Sequence, residues 1–430
     1  MKIVHYGNAC FSLFHNNLHI LCDPWIEGPA VAGGWAKFPP SPIRMSDLPI
    51  INYIYISHIH SDHCEEKTLE KLPRDIPIIV MNLKPNFLYK KLLKSGFNNI
   101  IKIDEGNLHV IDDELEVEVF PESYGHICAN IIDSSILFKF KDYTILNCND
   151  NKPSSELCTY IKSKYNNIDV AFLPSGGGSG YPAMYANLTD AEKFSHVNSI
   201  NLLYLEAFRK SVDLLKPKIA IPVAGGFIIR GDHPMKVNWQ QTRRFNLLEV
   251  ADDYYQNGIS KDTKILPLQP GLEIDVKSKQ YIKNHYRPWT NEEISSYIKE
   301  ACSEPIIKKI NTNEQIEGII ELMRLSRLKL WSRQALNNMK PEYNIYITIK
   351  ENNRSCYFNL AYEDFEEVKF SGQRIEPYLE LFLDQDTSLE WILGLIDFNM
   401  LDSGHRIEFC RSPNKYVVEA YYLMSMYRLC

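Results

Sequence analysis

Four side chains able to hold a metal ion fall within six consecutive residues in the run Ile56-Ser57-His58-Ile59-His60-Ser61-Asp62-His63. The apolar, β-prone stretch Tyr53–Ser57 precedes them and a helical pattern over Cys64–Leu72 follows, so the run occupies a strand-to-helix turn. In an extended segment alternate side chains share a face, which points His58 and His60 the same way. Asp62 and His63 then stand where the helix begins. Imidazole and carboxylate together suit zinc, iron or manganese. A run this dense at ligand spacing points to a metal centre rather than to a solvated polar loop.

The pattern H-x-H-x-D-H resembles the signature of the metallo-β-lactamase superfamily. That resemblance implies an αββα sandwich and a cofactor of one or two divalent ions, iron or zinc. It places His58 and His60 on a first metal, and Asp62 and His63 on a second. It also calls for a third histidine and a bridging aspartate downstream. His126, in Tyr124-Gly125-His126 after the expected strand Leu115–Phe120, is the candidate third ligand. Asp150, in Asn147-Cys148-Asn149-Asp150 at the end of Tyr143–Cys148, is the candidate bridge. The superfamily's last histidine is expected after the strand Lys218–Val223, where this sequence has Ala224-Gly225-Gly226. The next histidine, His233 in Gly231-Asp232-His233-Pro234, is expected to loop back to the second metal.

A narrower resemblance rests on Asp23-Pro24-Trp25, Gly28-Pro29-Ala30, Gly34-Trp35, Pro39-Pro40-Ser41, Ser175–Pro182 and Pro222–Phe227. In this order these segments are similar to the metallo-β-lactamase-like part of CMP-N-acetylneuraminate hydroxylases. The resemblance implies an iron-dependent oxygenase that hydroxylates a small polar substrate of amino-sugar or nucleotide-sugar type. Those hydroxylases also carry a Rieske domain, whose cluster needs Cys-x-His and Cys-x-x-His pairs. The sequence has no such pairs, so an oxygenase reading calls for a separate electron donor. The alternative is a metallo-hydrolase, in which a metal-bound hydroxide attacks an amide, lactone or phosphoester and Asp62 doubles as the proton acceptor. A third reading is a non-catalytic binding protein that keeps the fold.

Two features are candidates for substrate binding. The loop containing Gly177, Gly178 and Ser179 follows the expected strand Asp169–Leu173, and its backbone N–H groups can form an anion-binding concavity or simply admit a close neighbour. Arg230 can pair with a substrate anion or sit at the surface. Trp25, Trp35, Tyr181 and Tyr185 are either pocket walls or core.

These residues must be positioned by a chain of 430 residues, 45% hydrophobic and 23% charged. That length suggests two domains. Strands mixed with helices over residues 1–275 read as the metal-binding catalytic domain, an α/β sandwich of layers. Residues 290–430 read as a smaller α+β domain, a lid or interaction module, with a hairpin over Tyr343–Ile349 and Ser355–Ala361. Helices are expected over Asn291–Cys302, Glu314–Asn337, Pro377–Asp384 and Lys415–Arg428. A long helix from Asp190 to Leu215 opens on the capping box Thr189-Asp190-Ala191-Glu192. The net charge of −7 argues against nucleic acid as a partner. No apolar run is long enough to span a bilayer, and the start lacks the pattern of a signal peptide. The ten cysteines include no Cys-x-x-Cys pair. Reduced thiols in a cytoplasmic protein are the expectation.

Overall fold

The structure is a computed structural model, and it describes residues 1–121, 133–231, 237–238, 246–303, 306 and 316–429. Two sheets lie face to face. In the first, the meander Lys2–Gly7, Cys10–His15, Leu18–Cys22 is continued by the parallel strands Tyr53–Tyr55, Ile78–Met81 and Ile100–Ile103. Glu273–Asp275 and Gln280–Tyr281 complete its other edge. In the second, the order is Lys264–Ile265, Ile219–Val223, Val170–Pro174, Thr144–Asn147, Ser134–Phe140, Leu115–Pro121, His109–Val110.

The central strands are apolar on both faces because both faces are covered. Ile78–Met81 and Ile219–Val223 are buried at every position. Between the sheets lie Ile3, Phe11, Ile20, Val117, Ile136, Phe172 and Ile221. Phe11 stacks on Phe172 across this layer at 3.7 Å between ring centroids. Helices Glu66–Glu70 and Phe87–Lys94 cover the outer face of the first sheet through Leu69, Leu88 and Leu92. Helices Ser155–Lys164, Asp190–Leu215 and Leu248–Asn257 cover the second. The layers are therefore αββα. The Thr189 capping box forms as expected, with its hydroxyl accepting from Glu192 N–H.

The chain continues into a five-stranded sheet of order Glu366–Lys369, Arg354–Asn359, Asn344–Ile349, Tyr378–Leu383, Glu408–Ser412. Helices Ile316–Asn337, Gln385–Ile392 and Val418–Ser425 pack on it. The expected helix over Pro377–Asp384 is instead a strand, paired in parallel with Asn344–Ile349. Leu379, Leu381 and Leu383 are fully buried, a period of two that fits a pleated strand. The helix Asn291–Ala301 packs through Ile294 and Ile298 on Phe38 and Ile228, which belong to the sandwich. Among the described residues no helix is long and apolar enough to cross a membrane. The eight described cysteines are free thiols.

The sandwich brings several strand ends to one edge. Leu18–Cys22 and Tyr53–Tyr55 run parallel with Cys22 opposite Tyr55, so Asp23 and the His58 motif emerge side by side. Thr144–Asn147 ends at the same edge before Asp150, and Ser134–Phe140 begins there after Asp133.

Candidate metal centre

Ser57 follows the buried end of its strand, and its N–H donates to Asp23 Oδ1 at 2.7 Å. Asp23 has φ 45, the left-handed region that non-glycine residues enter at a cost. That backbone turns its carboxylate inward, and Oδ2 lies 3.1 Å from His63 Nδ1. On the opposite sheet Asp133 Oδ1 lies 3.2 Å from His58 Nδ1. Each of these two imidazoles thus has its outer nitrogen against a buried carboxylate, which leaves Nε2 directed inward. This is the arrangement that orients a metal-binding histidine.

The inward atoms converge. His58, His63 and Asp150 each offer a ligand atom, all within 4.8 Å of one another. His60 Nδ1 is 2.8 Å from His58 Nε2. His63 Nε2 is 3.2 Å from Asp150 Oδ2 and 3.3 Å from Asp62 Oδ2. Yet His63 Nε2 and Asp150 Oδ1 are buried and make no hydrogen bond. Buried polar atoms are rarely left so, and a cation between them satisfies both. The donor set and the orphaned atoms therefore fit a metal ion.

Electrostatics point the same way. Burial alone lowers the His63 pKa, but Asp150, Asp62 and Asp23 outweigh it and hold that imidazole well above its ordinary value. Burial likewise opposes charge on His58, and Asp133 reverses the sign. Burial and the neighbouring His58 push His60 down. Burial would raise Asp62, but the His63 charge dominates and holds it well below the carboxylate range. Four acidic groups around three imidazoles make a pocket that demands positive charge, from protons or from a bound cation.

Asp62 has a further partner. Asn8 donates from Nδ2 to Asp62 Oδ2 at 2.9 Å, and its Oδ1 accepts from Gly225 N–H at 2.9 Å. Where the superfamily's last histidine is expected, this chain has small residues, and Asn8 fills the space between them and Asp62. His126 and His233 lie outside the described residues.

The substrate-binding candidates stand elsewhere. A side chain at Gly178 would strike the Trp35 ring, and one at Gly177 would strike Tyr204. The loop glycines thus admit close neighbours. Gly177, Gly178 and Ser179 line a small cavity of about 90 Å³ with Tyr181 and Tyr204. Arg230 donates to Ala301 O at 2.6 Å and Gly33 O at 3.0 Å, tying the sandwich to the Asn291–Ala301 helix. It also borders an open cleft of about 570 Å³ with Lys37 and Lys67. Trp25, Trp35 and Tyr185 are buried in apolar clusters.

Four polar residues were not singled out from sequence as parts of the site: Asn8, Asp23, Asp133 and Asn399. The last comes from the far end of the chain, its carboxamide nitrogen 2.8 Å from His60 Nε2. Asp23 carried a detectable signal, since it stands in the Asp23-Pro24-Trp25 segment directly after a buried strand.

Residues 19–179 match the family model described as a beta-lactamase superfamily domain. Together with the two-sheet sandwich and the strand-edge site, this makes the chain a metallo-β-lactamase-fold protein. It is similar to the cytidine monophosphate-N-acetylneuraminic acid hydroxylase of Xenopus laevis, 31% identical over 288 residues covering 64% of this chain and 46% of that protein. It is also similar to the inactive cytidine monophosphate-N-acetylneuraminic acid hydroxylase of Homo sapiens, 28% identical over 441 residues covering 97% of this chain and 83% of that protein. The chain thus spans less than half the length of the Xenopus relative. Among solved structures, the isothiocyanate hydrolase from Delia radicum gut bacteria aligns with a TM-score of 0.45 and 17% identity, over 64% of this chain and 99% of that one.

Proposed function

We propose that this protein is a metal-dependent oxygenase that hydroxylates a small anionic substrate of the nucleotide-sugar class. The convergence of His58, His63 and Asp150 with two orphaned buried atoms carries the metal-dependent part of this reading. The similarity to the Xenopus laevis hydroxylase over 64% of the chain supports the choice of reaction. His58, His60, Asp62, His63 and Asp150 would hold the ion, with His126 and His233 as further ligands. When bound, iron supplies the redox chemistry. Asp23 and Asp133 hold the imidazoles of His63 and His58 in the ligating orientation. Asn8 holds the Asp62 carboxylate. The loop of Gly177, Gly178 and Ser179, with Arg230, is the candidate contact for the substrate's anionic groups. Turning C–H into C–OH with dioxygen places one oxygen atom in the product and one in water. It consumes two electrons and two protons, delivered by a separate electron-donor protein.

The test uses the full chain loaded with ferrous iron, a reduced electron carrier, CMP-N-acetylneuraminate and isotopically labelled dioxygen. One labelled oxygen atom in the sugar product is expected. No labelled product, together with cleavage of an ester or amide substrate by zinc-loaded protein, overturns the oxygenase reading in favour of the hydrolase.

A further inference from the structure

Asn399 reaches the metal motif from a helix that belongs to the C-terminal part of the chain. The helix Phe398–Ser403 is capped by Asp397, whose side chain accepts from Met400 N–H at 2.9 Å. Its C-terminal end is pressed into the sandwich at sites where no side chain fits. A Cβ on Gly34 would stand 2.7 Å from Gly404 Cα, and one on Gly231 would stand 2.9 Å from His405 O. The Trp35 indole also donates to Ser403 O at 2.6 Å. Backbone-to-backbone approach of this kind holds a helix in one place. So docked, the helix sets the Asn399 carboxamide 2.8 Å from His60 Nε2.

His60 has two ring nitrogens with different tasks. Nδ1 faces His58 Nε2, one of the converging ligand atoms, at 2.8 Å, and Nε2 faces Asn399. A neutral imidazole carries one proton, so whichever nitrogen holds it cannot ligate. With the amide N–H toward Nε2, the His60 proton sits on Nδ1, on the metal side. A half-turn of the carboxamide presents Oδ1 instead, which accepts a proton on Nε2 and frees the Nδ1 lone pair. The two ends of the amide have the same shape, so the turn disturbs no packing.

Resting on the metal-centre reading above, we infer that Asn399 is a positioning residue for the metal: its carboxamide selects the ligating tautomer of His60. The helix Phe398–Ser403 thereby makes the C-terminal part of the chain a component of the metal site. Whatever displaces that helix also weakens the ion.

The experiment measures zinc affinity of the full chain, stripped of metal by a chelator, in competition with a chromophoric chelator. Wild type, Asn399→Ala and Asn399→Asp are compared, with thermal melts of each metal-free protein. Asn399→Ala should weaken zinc by about 10-fold or more, the size of effect seen when such outer partners are lost. Its metal-free melting should match wild type, since this residue lies at the edge of the site. Asn399→Asp can only accept, so it should restore wild-type affinity. Equal affinity of wild type and Asn399→Ala overturns the inference and leaves the metal centre standing. Equal weakening by Ala and Asp overturns it too, because packing rather than proton acceptance would then be at work. Failure of the wild type to bind zinc overturns the metal-centre reading itself.

Discussion

The two sides of the candidate metal centre are built differently. His58 and His63 are buried within the sandwich, and each rests against a carboxylate from a neighbouring strand end, Asp133 or Asp23. His60 is half-buried and rests against a neutral amide 339 residues further along the chain. One side is held by charge in a dry interior and forms with the sheets. The other is held by a hydrogen bond that exists only when the C-terminal helix is docked. The difference separates a ligand frame made by the fold from a ligand trimmed by a second unit. Such a site can keep part of its metal affinity when the second unit shifts.

The sharpest test of that contrast is Asp23→Ala. The variant removes the partner of His63 Nδ1 and the acceptor of Ser57 N–H together. His63 keeps Asp62 and Asp150, but two buried groups lose their acceptor at about 1–3 kcal/mol each, a loss read in urea unfolding. Zinc affinity should fall further than in Asn399→Ala. A smaller metal defect than that of Asn399→Ala would mean that the carboxylate side is not the dominant one.

Next in size is the comparison of His58→Ala with His60→Ala. Both should lose most bound metal, measured by elemental analysis of purified protein. His58→Ala also strands the buried Asp133 carboxylate, which loses its ion-pair partner at 3.2 Å. An unsatisfied buried acceptor costs about 1–3 kcal/mol, and the charged Asp133 carboxylate stands at the upper end of that range, above the neutral His58 Nε2 that His60→Ala leaves without its partner. Equal stability of the two variants would erase the proposed asymmetry.

Asp402 lies on the docked helix, and burial raises its pKa to about 6 against the lowering effects of the Gly180 backbone and Arg411. One oxygen, Oδ1, is buried without a hydrogen bond. The folded state therefore holds this proton more tightly than the unfolded chain. Its contribution is fully present below the ordinary carboxylate range and is lost as pH rises toward 6. The residue is only partly buried, so the loss is discounted for solvent screening to about 1–2 kcal/mol. Urea midpoints between pH 4 and pH 7 should decline more in wild type than in Asp402→Asn. Parallel curves would show that the proton is not held there.

The motif His58–His63 was legible because its chemistry is local: four donors on one turn are visible in six consecutive letters. The sandwich was legible from short β-branched runs bounded by turn residues. The partners of the ligands were not. Asp133 and Asn399 are ordinary polar residues until the fold sets them against His58 and His60, and nothing in their own neighbourhoods marks them. The strand Tyr378–Leu383 was misread as helix because a short apolar run carries little periodicity, and its buried alternation emerges only through pairing with Asn344–Ile349. The helix Asn291–Ala301 shows that composition shifts mark linkers better than they mark packing partners. It follows residues 276–289, between the two expected domains, yet packs on Phe38 and Ile228.

The smallest predicted effect probes the seam between the two sides. Ser61 stands inside the metal motif, but its Oγ accepts from Val31 N–H at 2.6 Å. Val31 and Ala32 both adopt the left-handed region, at φ 52 and 49. That turn is strained, and Ser61 is one of the groups that hold it. The same turn carries Gly34, against which Gly404 packs, so it forms the bed on which the Asn399 helix rests. Ser61→Ala removes one hydrogen bond and should cost about 1 kcal/mol of stability. Zinc affinity should fall as well, by less than in Asn399→Ala, because the helix is loosened rather than stripped of its amide. In a double variant the two metal defects should fail to add, since both act through the same contact with His60. Full additivity would mean that Ser61 acts on the metal side of the motif directly, and that the seam does not transmit.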